Sequence, residues 1–310
     1  MAHRLVPFRF TQVEREDLKS SGTESSRYGS FLAQQQSWDA GIQGIILVIG
    51  STNNLNSFIA QEVDQLAPDA SSRVELTFTR GVTRAALDTH SVILTSGFDA
   101  GGVGYLGCSN RGFHHRIPLV GVGGSGLTTW PGDTKSSAQG ELKRLQPDHT
   151  HYVLLDGRLD DLAIRKFRFD LVNALKPQQN SMLPQVAFVL NGTQEELKEV
   201  LLCVHGGIPV VIISGTGGIA DQIARRLKTP DINETGTEID ALVLEVVQKG
   251  AKALEVIELR DIEGAVIRDL VKVLFSGAVG ASEIPTRLVN KKKHLETLSS
   301  RCTGSACVVM

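Results

Sequence analysis

The 310-residue sequence lacks an excess of either charge: 32 Lys and Arg stand against 34 Asp and Glu, a formal net charge of −2. Nucleic-acid binders usually carry a basic surplus or stripe, so a nucleic-acid partner is not expected. Cysteine is scarce. Cys108, Cys203, Cys302 and Cys307 show neither zinc-ligand spacing nor a disulfide framework, which fits a reducing compartment. No apolar run approaches the roughly 20 residues that span a bilayer. The opening MAHRLVPFRFTQVERED has no hydrophobic stretch of a secretory signal. These absences predict a cytoplasmic protein that neither spans a membrane nor enters the secretory pathway. Two nucleotide motifs are missing as well. Without GxxxxGK(S/T) a Walker-type hydrolase is unsupported. The first strand is not followed by a strict GxGxxG with a ribose-binding acid about twenty residues on, so hydride transfer is unsupported too.

What is present is glycine, 31 residues of it, and a 41% hydrophobic content sufficient for a large core. Short continuous apolar runs recur at Ile45–Ile49, Val92–Thr95, Ile117–Val122, Tyr152–Leu155, Val186–Leu190 and Val210–Ile213. Such runs suit strands of a parallel sheet buried on both faces. Between them, Leu55–Leu66, Asp160–Leu175, Gln194–Val204 and Ile219–Leu227 carry helical spacing. Thr193 with Glu196 reads as a capping box, and Asp160–Asp161 as a helix cap. Strand–helix alternation predicts a Rossmann-like, doubly wound α/β fold, mainly parallel, with helices on both faces. The expected divisions are a mostly flexible segment over 1–40, the α/β domain over 41–230, an extension or small subdomain over 231–280, and a flexible tail over 281–310. Order is expected to begin near Gly44. Within the last ordered part, Ile239–Gln248 and Ile262–Phe275 read as helical and Ala253–Leu259 as extended.

In open α/β sheets ligands bind beyond the carboxyl ends of the strands. Four glycine-rich turns are predicted there: Gly50–Asn54, Ser96–Gly102, Gly121–Gly126 and Ser214–Gly218. The stretch Gly121–Asp133 is expected to be neither strand nor helix. Glycine lets backbone approach a ligand, and a following helix offers free N–H groups to an anion. Each turn alone is also explained by the need for a tight strand-to-helix connection. Four together, three of them with Ser or Thr hydroxyls, point to a phosphate-bearing ligand.

The segments LVIGSTNNLN, ILTSGFDAGGVGYLG, IPLVGVGG, PDHTHYVLLDG and IPVVIISGTGGIADQIARRL, in that order, resemble the SLOG domain. The similar forms are those at the cytosolic N-terminus of melastatin-type transient receptor potential channels and their free-standing prokaryotic relatives. The resemblance covers roughly residues 44–227. It implies a Rossmannoid sheet and a nucleotide-derived ligand such as ADP-ribose, sensed or processed. Carried over, Gly50, Ser51 and Asn54 line the first loop, and Ser96, Gly97, Asp99 and Gly101 the second. Ser214, Gly215, Thr216, Gly217 and Asp221 form the last. Gly123 and Gly124 of the third turn, and His151, join the expected pocket. Gly218 stands where several channel domains have arginine, and Ser51 and Ser96 where they usually have glycine. The related lonely-guy enzymes cleave nucleoside monophosphates with a PGGxGTxxE glutamate. Here the last turn offers only Asp221, so ligand binding is expected, with N-glycosidic hydrolysis of a nucleotide or NAD-like molecule and a non-catalytic scaffold as alternatives.

His149 and His151 form an HxH pair near Asp148 and Asp156. Two readings stand: a metal pair, or one histidine packing while the other hydrogen-bonds a loop; no third ligand of matching spacing appears. His114–His115 read as solvated, and Cys108 and Cys203 as small core residues. Trp130 either stacks on a base or fills its own loop. The chain ends Cys307-Val308-Val309-Met310, a C-a-a-X box whose final Met favours farnesyl. Lys291–Lys293 and Cys302, a palmitoylation position, would supply the second signal that one lipid chain needs. The expected partners are thus a small nucleotide ligand and, through the tail, membrane lipids at the cytosolic face. Homo-oligomerisation is left open.

Overall fold

The computed structural model describes residues 9–13, 41–50, 70–129, 142–155, 160–175, 183–229 and 237–276, with backbone alone for 9–13 and 70–72. Eight strands form one sheet. They are β1 (Arg9–Val13), β2 (Gly44–Gly50), β3 (Ser91–Thr95), β4 (Leu119–Gly124), β7 (His151–Leu155), β8 (Gln185–Leu190), β9 (Val210–Ser214) and β10 (Leu254–Glu258). Every pairing is parallel, in the order β1-β7-β4-β3-β2-β8-β9-β10. From β2 the chain winds outward through β3, β4 and β7, then returns beside β2 with β8 and winds the other way. That reversal between β2 and β8 is the topological switch point of a doubly wound sheet, the expected Rossmann-like fold. A second, two-stranded sheet pairs β5 (Thr128–Thr129) with β6 (Lys143–Arg144).

Strand residues alternate between two cores. Ile45, Leu47 and Ile49 of β2 face one, with α4 (Asp161–Ala174), α5 (Gln194–His205), α6 (Gly218–Lys228) and α7 (Glu238–Gly250). Ile46 and Val48 face the other, with α1 (Ala70–Leu76), a π-helical segment (Thr77–Val82), α2 (Thr83–Asp88), α3 (Gly101–Gly112) and α8 (Gly264–Phe275). Both faces are covered, which is why the strands read as continuous apolar runs. Each fully buried Ile, Leu or Val stabilises the fold by about 1.5–3 kcal/mol relative to exposure.

Three expectations are corrected. Residues Arg9–Val13, expected in a flexible lead-in, form β1 and pair with the outer edge of β7. That pairing satisfies backbone groups on β7 that would otherwise lie open at the sheet edge. Gly121, Gly123 and Gly124, expected in a loop, lie inside β4. At Gly121 packing requires glycine: a Cβ would stand 2.5 Å from the buried Tyr152 ring. Cys108 is exposed on α3, while Cys203 is buried as expected. Residues 237–276 belong to the same sheet, because β10 pairs with β9 and α7 and α8 lie on its opposite faces. The expected helix Leu55–Leu66, Trp130, and the tail with Cys302 and Cys307 lie outside the described residues.

Candidate functional site

The carboxyl ends of β2, β3 and β4 carry Gly50, Ser96 and Gly124. Above them opens a cleft of about 70 Å³, lined by Val48, Gly50, Ser96, Phe98, Val122, Leu127, Lys143, Asp161, Ile164, Arg165, Arg168 and Glu196. It therefore borders the switch point, with α4 and the first turn of α5 as one wall. Gly50 is required by close approach, since a Cβ would meet the Leu190 carbonyl oxygen at 2.4 Å. On the opposite wall the Lys143 ammonium lies 4.8 Å from the Phe98 ring centroid, within the range of cation–π attraction.

The α4 wall is a buried ion network. The sequence places Arg165 and Arg168 on one face of α4, three residues apart, and Glu196 and Glu199 likewise on α5. Arg168 grips Glu199 through Nε at 2.7 Å and Nη2 at 2.5 Å. Arg165 donates to Glu196 at 2.6 Å and to Glu199 at 3.3 Å. Glu196 also closes back on Thr193, accepting from its backbone N–H at 2.8 Å and its hydroxyl at 2.6 Å. Burial pushes the Glu196 carboxyl upward, but Arg165 and the Thr193 donors outweigh it and hold it below the usual range. Glu196 was legible as a capping residue. That it also faces a cleft, paired with Arg165, was not, because α4 and α5 meet only in the folded sheet.

The last glycine turn is built differently. Gly215, Gly217 and Gly218 all have positive φ, at 82°, 80° and 59°. This conformation turns the chain sharply into α6. The Asp221 carboxylate folds back and accepts from Gly215 N–H at 2.6 Å and Gly217 N–H at 3.0 Å. Two amides of the first turn of α6, Ile219 N–H and Ala220 N–H, donate to the Gly192 and Asn191 carbonyls. Thr216 Oγ1 accepts from Asn191 N–H, and the Asn191 side chain donates to the Thr216 carbonyl. These donors, on which an anion would depend, are already occupied within the protein. Asn191, at φ 49°, ties the β8 and β9 turns together and was not singled out from the sequence; the Asn-Gly pair after an apolar run was the signal.

The predicted residues divide accordingly. Gly50 and Ser96 line the cleft. Gly97 and Gly123 flank it within the β3–β4 packing, where a Cβ on Gly97 would reach 2.6 Å from Tyr152. Asp99 lies 3.9 Å from Arg144, and Gly101 opens α3. Ser214, Gly215, Thr216, Gly217 and Asp221 form the separate β9 turn. His151 opens β7 in register with Val120, well short of the Gly124–Leu155 end of those strands, and is not brought to the cleft. Ser51 and Asn54 lie outside the described residues.

His149 belongs to the packed underside of this region. Its Nε2 is 2.8 Å from Thr95 Oγ1, its Nδ1 is 3.2 Å from Gln146 Oε1, and its ring stacks on Tyr152. Burial pushes its pKa down to about 3, opposed in part by Asp148. Asp148 itself pairs with Arg111 at 2.6 and 2.9 Å. His115 donates from Nδ1 to the Asp148 carbonyl, 3.3 Å away, and His114 is exposed. Asp160 caps α4 by accepting from Ala163 N–H at 2.7 Å.

Fold and cleft together define a doubly wound α/β domain with a polar site at its switch point. The family described as "SLOG in TRPM, prokaryote" matches residues 45–268, and the chain belongs to that family. It is 27% identical over 203 residues to a protein named "Transient receptor potential channel" from Caenorhabditis elegans, a match covering 58% of this chain and 9% of that protein. It is 22% identical over 226 residues to "Transient receptor potential cation channel subfamily M member 2" of Mus musculus, covering 63% of this chain and 14% of the relative. The rat protein of the same name gives the same identity and coverage. The chain thus matches only a small part of these relatives' length. Family membership supports a ligand-binding or signalling module in general. Among the described residues no helix is long and apolar enough to cross a membrane.

Proposed function

We propose that the cleft above β2, β3 and β4 binds a nucleotide-derived ligand of the ADP-ribose or NAD kind, and that the chain acts as a sensor or signalling module. The observation that carries this reading is a polar cleft, walled by the Arg165–Glu196 pair, at the switch point of the sheet. Binding is favoured over hydrolysis because Asp221, the carboxylate of the last turn, is engaged in capping α6. The test is thermal denaturation of the full chain with ADP-ribose, NAD, cyclic ADP-ribose and nucleoside monophosphates. A ligand at a hundredfold excess over its Kd adds about 2.7 kcal/mol. Absence of a shift with every compound would remove the reading.

The C-terminal Cys307-Val308-Val309-Met310 supports a second element of the proposal: farnesylation of Cys307, with Lys291–Lys293 and palmitoylated Cys302 holding the module at a cytosolic membrane face. In a eukaryotic cell, Cys307→Ser should move an N-terminally tagged protein from membrane to soluble fraction. Retention of that variant on membranes, or an intact tail with no lipid mass by spectrometry, would count against the anchor.

A further inference from the structure

We propose that the cleft recognises the diol of a pentose ring, with Glu196 accepting from a hydroxyl and Arg165 donating to one, and that it does not hold the phosphate. The proposal rests on the reading of the cleft as the ligand site and names the part of the ligand that enters it.

Charge is the first argument. Arg168 is neutralised by Glu199 in a two-point pair. Of the remaining lining charges, Arg165 balances Glu196 and Lys143 balances Asp161. A wall of zero net charge gives a phosphate little net attraction, and its two carboxylates repel the phosphate oxygens directly. A sugar hydroxyl both donates and accepts, and this wall offers acceptors and donors side by side.

Hydrogen-bonding capacity agrees. A carboxylate has about four acceptor positions, and Glu196 uses three, on Arg165 Nη2 and on the Thr193 N–H and hydroxyl. Arg165 has five N–H donors and directs two of them at Glu196 and Glu199. One acceptor position and further donors therefore remain within one side chain of each other. The space suits a ring. A water needs on the order of 10–15 Å³ by this measure, so 70 Å³ admits a five-membered ring and not a whole dinucleotide. The lining also includes the apolar Val122, Leu127 and Ile164, which match the C–H face that a ring presents once its hydroxyls turn to the polar groups.

The experiment measures ADP-ribose binding to the full chain by calorimetry, with ribose 5-phosphate and inorganic phosphate as competitors. Ribose 5-phosphate should displace ADP-ribose about tenfold or more better than phosphate does, a difference of about 1.4 kcal/mol. Glu196→Gln keeps the capping geometry, since Gln serves in the same box, and should weaken ADP-ribose binding about tenfold or more. Arg165→Lys, which keeps the charge but removes the guanidinium donors, serves if Glu196→Gln fails to fold, and should weaken binding in the same direction. If ADP-ribose binds but phosphate competes as well as ribose 5-phosphate, or a folded Glu196→Gln binds unchanged, the diol assignment is wrong and the nucleotide reading stands. If no compound in the nucleotide panel binds the unmutated chain, both fall together.

Discussion

Glu199→Ala tests whether the α4–α5 contact is held by charge. Glu199 is fully buried and Arg168 is 3% exposed, and the two meet in a two-point pair that Arg165 extends at 3.3 Å. Removing the carboxylate leaves the Arg168 guanidinium, nearly buried, without its counter-ion. Breaking a buried pair from one side costs about 3–5 kcal/mol, because the surviving charge has lost its compensation. For a domain of this size each kcal/mol shifts Tm by about 2–4 °C, so Tm should fall by roughly 6–20 °C. The assay is thermal and urea denaturation followed by circular dichroism, in low salt and in about 1 M salt. The loss should persist in salt, since a buried pair is screened far less than a surface one. Replacing both partners together, Arg168→Met with Glu199→Leu, should recover most of the stability, as apolar pairs of similar volume often equal buried ion pairs. A cost below about 1 kcal/mol for Glu199→Ala would refute the argument, for it would mean that Arg168 finds water or another partner at little expense.

Four further outcomes follow from the geometry. His149 is held neutral with its pKa lowered to about 3, so its contribution is complete above the unfolded value near 6.5 and is lost as pH falls from there toward 3. Below about pH 5.5 stability should drop by about 1.4 kcal/mol per unit, and His149→Gln should flatten that slope in denaturant titrations; an unchanged slope would assign the loss to other groups. Gly121→Ala sets a Cβ 2.5 Å from the Tyr152 ring and should cost about 1–3 kcal/mol by overpacking, read as a lowered urea midpoint. Asp221→Ala frees the Gly215 and Gly217 amides and should cost about 1 kcal/mol. The unmutated protein incubated with NAD or AMP should release no nicotinamide or adenine by chromatography, and release that vanished in Asp221→Asn would instead make that carboxylate catalytic.

The sequence by itself determined the layers of this fold. Runs such as Ile45–Ile49 and Val210–Ile213 are apolar at every position because both sheet faces are covered, and that pattern needs no partner to be read. Thr193 with Glu196 and Asp160 ahead of α4 were equally legible, since caps act within a turn of the chain. The π-helical passage over Thr77–Val82 and the helix Gly101–Gly112 were not legible. Glycine argues locally against a helix, and only contact explains it here: a Cβ on Gly102 would collide with Phe78 at 2.3 Å, and one on Gly107 with Gln146 at 2.0 Å. The same holds for Gly121, which reads as loop but lies in β4 so that β7 and its Tyr152 can approach. The site divided along the same line. Strand-end glycines were visible, but whether their amides face a ligand or a side chain depends on where Asp221 and Asn191 fold back. The Arg165–Glu196 wall joins residues from helices that follow different strands, 31 positions apart. No local pattern links them. The return of the chain from β7 to β8, across the switch point, is what brings α4 against α5 and makes two ordinary surface-type residues into one buried pair.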